Sequence, residues 1–308
     1  MRIQRAAVFV IAMVPMAAAQ QFGTDVGPAV DPNARFEVVA IKAFDDAGMR
    51  LLNRVTPGGF ESTMPVGLHL RQALQKPDYR IVGAPGWIDT ERYAITAKKP
   101  EGLPPAAQSV MLLNLLKDRF QLRMHLETRD LPIFNLVMAR PDRRPGPDLK
   151  VTSAECQATI EARLAATRAA ASGGPPPPRV PFPAFPTAGD ALPCGFGGGG
   201  LGMATGSGRT IAQIAQTLAD LVGRPVVDQT GLAGMYDFAL KFTFEGRTAG
   251  PFGLLPPPQA PGTPAAPIDL DAAGLSVALQ EQLGLKLESA RGPVEIAVID
   301  KIEKPTLD

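Results

Sequence analysis

Side chains able to do chemistry are sparse in this chain, so their spacing decides what they can do. There are 2 histidines, 2 cysteines and 1 tryptophan in 308 residues. His69 and His125 are too few for a histidine-rich metal site, and neither stands four residues along a helix from a second ligand. No metal and no cofactor is expected. His69 falls beside the apolar stripe of a helix, which gives it a structural or surface role. Arg123, His125 and Glu127 alternate along one strand face and form a candidate polar binding site. The corresponding place in the C-terminal half holds Lys286 or Glu288, depending on register, and this favours a solvated sheet face over a catalytic one. Asp228 and Asp237 flank the TGLAG turn and are the carboxylates a hydrolase would use for acid/base work. An Asp at a strand end more often accepts backbone N–H bonds in a turn. With no G-x-S-x-G elbow, P-loop or H-E-x-x-H, no catalytic residue is assigned. Trp87, beside Pro85 and Gly86, is either a plug on one end of a core or an exposed binding platform, and Leu232 at the equivalent place favours the plug. Cys156 and Cys194 are expected to form a disulfide.

The elements that must position these residues read as follows. FEVVAI at 36–41 opens a sheet. Val66, Leu70, Ala73 and Leu74 follow helical spacing, with Ser62 or Thr63 placed to cap. A short strand at 80–82 leads through the GAPGW turn to a strand with Tyr93, Ile95 and Ala97 facing inward. A helix over 106–118 carries Met111, Leu112, Leu115 and Leu116 on one face. It is followed by a hairpin in which Phe120, Leu122, Met124 and Leu126 point one way, with 133–139 as the returning strand.

Periodicity fails from Pro141 to Gly208, apart from an Ala-rich helix around 155–171. PPPP at 175–178 and GGGG at 197–200 read as linker or solvated insert. Order returns with a capping box at Thr210 and Gln213 and an apolar stripe through Ile211, Ile214, Ala215, Leu218, Leu221 and Val222. A short VVD strand, the Gly turn, a strand alternating through Tyr236, Phe238, Leu240 and Phe242, a helix through Leu275 and Leu283, and a final hairpin complete the chain. Another Pro/Gly stretch covers 246–267. Both halves run helix, strand, Gly turn, strand, helix, strand, strand, so the expected fold is α+β: two duplicated units at 20–140 and 209–304, each with two helices on a largely antiparallel sheet, joined by 141–208.

Composition bounds the function classes. With 31 Lys plus Arg against 30 Asp plus Glu, the formal net charge is +1, which removes the electrostatic footprint of a nucleic-acid binder. A hydrophobic fraction of 45% excludes wholesale disorder, while 32 Pro and 31 Gly account for the irregular stretches. Arg2 and Arg5, the apolar run 6–14 and Ala17-Ala18-Ala19 have the order of a secretory signal peptide over 1–19. No later segment is apolar for long enough to span a bilayer, so the mature chain is expected in the periplasm or outside the cell without a transmembrane segment.

FEVVAIK, GAPGWIDTERYAITAK, MLLNLLKDRFQLRMHLETRDLPIFNLVMA, GRPVVDQTGLAGMYDFALKF and LQEQLGLKLESARGPVEIAVIDKIEKP together resemble the soil-associated family of exported bacterial proteins, of acidobacterial type and built on a domain of unknown function. That resemblance implies no established activity. Some relatives form the extracytoplasmic part of sensor-transducer metallopeptidases, but this chain lacks the zinc-binding H-E-x-x-H. In shape the second unit also resembles the short periplasmic domain preceding secretins and TonB-dependent receptors, which binds other proteins. The expected function is a non-enzymatic binding or interaction module whose partner is an envelope protein or cell-envelope ligand, with Trp87, Arg123, His125 and Glu127 as candidate contacts. The alternative is an envelope hydrolase using Asp228 and Asp237.

Overall fold

The computed structural model describes residues 30–44, 52–56, 58–103, 107–171, 192–200, 202–243 and 274–308. The signal-peptide segment, the PPPP run and the 246–267 stretch lie outside the described residues. The chain runs β1 (Val38–Ala43), β2 (Asn53–Thr56), β3 (Gly59–Ser62), α1 (Val66–Leu74), β4 (Ile81–Val82), α2 (Trp87–Thr90), β5 (Tyr93–Lys98), α3 (Ala107–Arg119) and β6 (Arg123–Met138). It continues through β7 (Leu149–Val151), α4 (Ala154–Ala171), β8 (Gly197–Gly200), β9 (Met203–Thr210), α5 (Ile211–Val222), β10 (Val226–Asp228), β11 (Met235–Lys241), α6 (Leu275–Ala278) and β12 (Leu285–Lys301). A 3-10 turn, Asp78–Arg80, precedes β4, and a π-helical turn, Leu279–Leu283, extends α6. Helices on mainly antiparallel sheets make the fold α+β.

Three four-stranded sheets form, with orders β1-β5-β3-β2, β7-β11-β9-β8 and β10-β6-β12-β4. The first two are antiparallel throughout. The third joins the two halves: β6 and β12 pair antiparallel along nearly their whole length, from Leu285 opposite Met138 to Lys301 opposite Arg123. Its edge strands are exchanged. β10, from the second half, lies parallel to β6, and β4, from the first, lies parallel to β12.

This corrects both expected hairpins, because 123–138 and 285–301 are each one unbroken strand. Thr128-Arg129-Asp130 lacks the Asn-Gly or Asp-Gly pair of a two-residue hairpin turn, so nothing forces reversal there. Pro132 and Pro293 fit within the ladder for a geometric reason. The Phe134 N–H points outward to Pro225 O of β10's approach, so by alternation residue 132 also faces away from β12. Pro132 stands opposite Arg291, and Pro293 opposite Asp130, two residues along each strand, so both lie at positions that give no hydrogen bond across the pair.

Two main cores flank this sheet. In the first, Phe60, Leu70, Ile95, Met111, Leu116 and Phe120 pack with Ile299 and Ile302 from the chain's far end. In the second, Ile214, Leu218, Phe238, Leu240, Leu279 and Leu283 pack with Leu136 from β6. Each half therefore lends strand residues to the other's core. A smaller cluster of Ile133, Val294 and Ile296, with Val82 and Val227 against it, sits on the shared sheet itself.

Two local expectations also change. Pro65, not Ser62 or Thr63, is the N-cap of α1; the Ser62 hydroxyl accepts from Met64 N–H in the preceding turn, and that of Thr63 accepts from Leu52 N–H at the open end of the β2–β3 pair. Between 141 and 208 the described residues supply β7, β8 and β9 to the sheet around β11 instead of a linker. β9 was hidden by its glycines, which exist to make room: a Cβ on Gly206 would lie 2.6 Å from the Phe238 ring. The GGGG run is that sheet's edge strand, where a lack of side chains leaves no hole in a core. Cys156 on α4 and Cys194 ahead of β8 form the expected disulfide, with Cα atoms 5.5 Å apart.

Candidate binding groove and polar sheet face

Alternation along β6 sets its polar face. Met124 and Ile299 pack toward the first core, so Arg123, His125 and Glu127 project from the opposite side. Arg123 and His125 are exposed and Glu127 is half-buried. Leu126, expected inward beside Leu122, is 54% exposed, because β6 has by then run beyond the helices that cover Leu122. Two of the three are engaged locally: His125 Nδ1 lies 3.0 Å from Asp300 Oδ2, and Arg129 donates twice to Glu127, at 2.9 and 2.8 Å. The Arg129 guanidinium holds the Glu127 carboxyl below the usual carboxylate range. Trp87 is not part of this group, since it packs partly buried against the first core, on the other side of the sheet.

The two aspartates serve different structures. Asp228 Oδ1 accepts from the N–H and the hydroxyl of Thr230, at 2.9 and 2.8 Å, and so closes the turn after β10. Asp237 Oδ1 accepts from the Thr152 hydroxyl and the Gly208 N–H, both at 2.8 Å, fastening the sheet around β11. Neither arrangement pairs one carboxylate with the other, and the His125 imidazole is bonded to Asp300 instead.

A cavity of about 610 Å³ opens where the halves meet. One wall is α5, through Ala212, Ala215, Gln216 and Ala219; another is the 3-10 turn of the first half, through Tyr79 and Arg80; the third is the whole run from Pro225 to Gln229. Five consecutive residues of an extended chain line a cavity only if its main-chain edge, and not one side-chain face, forms the wall. β10 is an edge strand, and Pro225 O and Gln229 N–H are bonded toward β6, so the peptide groups of Val226 and Asp228 turn outward. Tyr79 Oη is 3.4 Å from Gln216 Nε2, and burial pushes its phenol up, which keeps it a proton donor. The Arg80 backbone N–H donates to Pro77 O, but among the described residues its side chain makes no ion pair, and its Nε is shut away from water without a partner. Sequence reasoning missed this site because it forms between segments some 140 residues apart; its only local signal was the alanine spacing on α5.

His69 proves to be a core residue, 1% exposed, its ring edge-on to Phe60 at 5.3 Å. Gln72 and the Met64 backbone lie near the ring, but neither nitrogen makes a hydrogen bond of normal geometry. Burial pushes its pKa down to about 4. Among the described residues no three His, Cys, Asp or Glu side chains converge as metal ligands, and no helix is long and apolar enough to cross a membrane.

These features define an α+β protein whose halves share one sheet and enclose an open groove, with one candidate acid tied into a turn and the other into a sheet. The chain belongs to the family described as Protein of unknown function (DUF3738), which matches residues 68–302. No curated protein and no solved structure shows a significant match.

Proposed function

We propose that this protein is an exported, soil-associated binding module of the bacterial cell envelope, without catalytic activity, built from two copies of one α+β unit. The observation that carries the binding reading is the cavity of about 610 Å³ walled by an unpaired strand edge, a surface suited to recognition. Export is supported by the order of Arg2, Arg5, the apolar run and the three alanines. The hydrolase alternative draws no support from Asp228 and Asp237, since the Oδ1 of one closes a turn and the Oδ1 of the other ties neighbouring strands. Since the Arg123, His125 and Glu127 face is largely self-paired, the reading places the principal contact in the groove and a secondary one on that face.

Support for two copies comes from matching positions. Sheet orders β1-β5-β3-β2 and β7-β11-β9-β8 coincide when chain order is followed. Gln121 and Gly284, with φ of 53° and 68°, both precede a long strand. Phe134 and Ala297, each 13 residues further on, face Val226 and Ile81 on the exchanged edge strands. That spacing supports the register in which His125 corresponds to Glu288.

Crosslinking of the native protein in intact cells tests the function. A discrete crosslinked envelope component, unchanged in Asp237→Asn, is expected. Release of a cleaved envelope polymer by the purified protein, lost in that variant, would replace binding with catalysis.

A further inference from the structure

Resting on the binding-module reading, we propose that the groove between α5, β10 and Arg80 binds an extended peptide segment that pairs with the edge of β10 and places a single carboxylate on Arg80. The outward peptide groups of Val226 and Asp228 supply donors and acceptors spaced for a strand, and their wall is continuous from Pro225 to Gln229. Opposite them stands the Arg80 guanidinium, which forms no ion pair with a described residue and whose Nε is buried without a partner. An unpaired, partly buried Arg is costly to keep, and a carboxylate is the group whose geometry it matches best. Asp228 lines the same cavity and stays near β10, so a polyanion is disfavoured and one acid per segment is the complement.

The first half shows what a filled version of this space looks like. Arg71 is the sixth residue of α1, as Gln216 is of α5. Its guanidinium donates to Asp78 at 2.6 Å and Asp89 at 3.1 Å. Gly67, second in α1, sits so close that a Cβ would lie 2.3 Å from Asp89 Oδ1. In the second half the corresponding residue is Ala212, which faces the open cavity. Intramolecular acids occupy one place, and the other is left for a ligand acid.

The test uses the full mature chain, isotopically labelled, with the peptide acetyl-Thr-Val-Thr-Glu-Val-Thr-amide as probe. Saturable amide shifts are expected at 226–229 and at the Arg80 side chain. Replacing Glu by Gln in the probe should weaken binding roughly tenfold, as expected for loss of a charge-assisted bond. Arg80→Gln should cost the Glu probe a similar factor and leave the Gln probe unchanged. A backbone N-methylated probe should not bind, and neither should any probe bind Ala212→Trp, an exposed position whose bulk fills the groove. No shifts at 226–229, or equal binding of the N-methylated probe, or indifference to Arg80→Gln, would overturn the proposal. If the envelope crosslink persists in Ala212→Trp, the groove assignment fails while the binding reading survives. If neither crosslink nor peptide binding appears, both fail.

Discussion

His69 shows how a residue with catalytic credentials is used for packing. Its neutral ring fills space beside Phe60, and a proton on it would have to be buried. The folded pKa of about 4 lies below the unfolded value near 6.5, so between these the unfolded chain binds more protons. Stability from this group is therefore complete above about pH 6.5 and lost as pH falls toward 4, with a span on the order of 3 kcal/mol. Denaturant titrations from pH 7 to 4 should show a steeper loss for the native chain than for His69→Leu, and equal slopes would contradict the assignment. Sequence spacing placed His69 beside an apolar stripe, but not inside the core, since periodicity cannot tell a flank residue from one covered by another strand. The roles of Asp228 and Asp237 were half legible: turn chemistry predicted an acceptor at a strand end, yet the Thr152 and Gly208 partners of Asp237 come from segments with no apolar period.

At the scale of elements, strong periodicity was reliable and weak periodicity was not. The helix stripes at Met111–Leu116 and Ile211–Leu218 and the capping box at Thr210 are all present. β2, β3, β7, β8 and β9 are short, polar or glycine-rich, and become strands only because a neighbour supplies their hydrogen bonds. The two long strands failed in the opposite way: a shift of buried face midway along each looks like a turn in sequence, whereas each strand leaves one core and enters the next. Burial across the sheets makes a graded prediction. Leu240→Ala, at 0% exposure, should cost about 2–5 kcal/mol, while alanine at Arg123 or His125 should stay within about ±0.5 kcal/mol in equilibrium unfolding. The reverse order would mean that the sheet faces are misassigned. Reduction of the Cys156–Cys194 bridge, which closes a loop of 38 residues, should destabilise by up to about 4 kcal/mol and loosen α4 and β8 first. Hydrogen exchange under reducing conditions reads this directly; uniform loosening of β6 and β12 would contradict it.

For the whole molecule, the exchange of strands decides both folding and function. Ile299 and Ile302 complete the first core, and Leu136 completes the second, so fragments 20–140 and 141–308 expressed separately should lack cooperative thermal transitions and regain one when mixed. The same exchange brings Tyr79 and Arg80 across to α5 and makes the groove, which no reading of either half alone contains. The central claim is that this groove is where the protein binds its envelope partner. A photocrosslinking amino acid placed in turn at Gln229, on the groove, and at Arg123, on the polar sheet face, tests it in intact cells. The account predicts a discrete crosslinked product from position 229 that Ala212→Trp removes, with a weaker product or none from position 123. A strong product from 123 that is indifferent to Ala212→Trp, with none from 229, would contradict it.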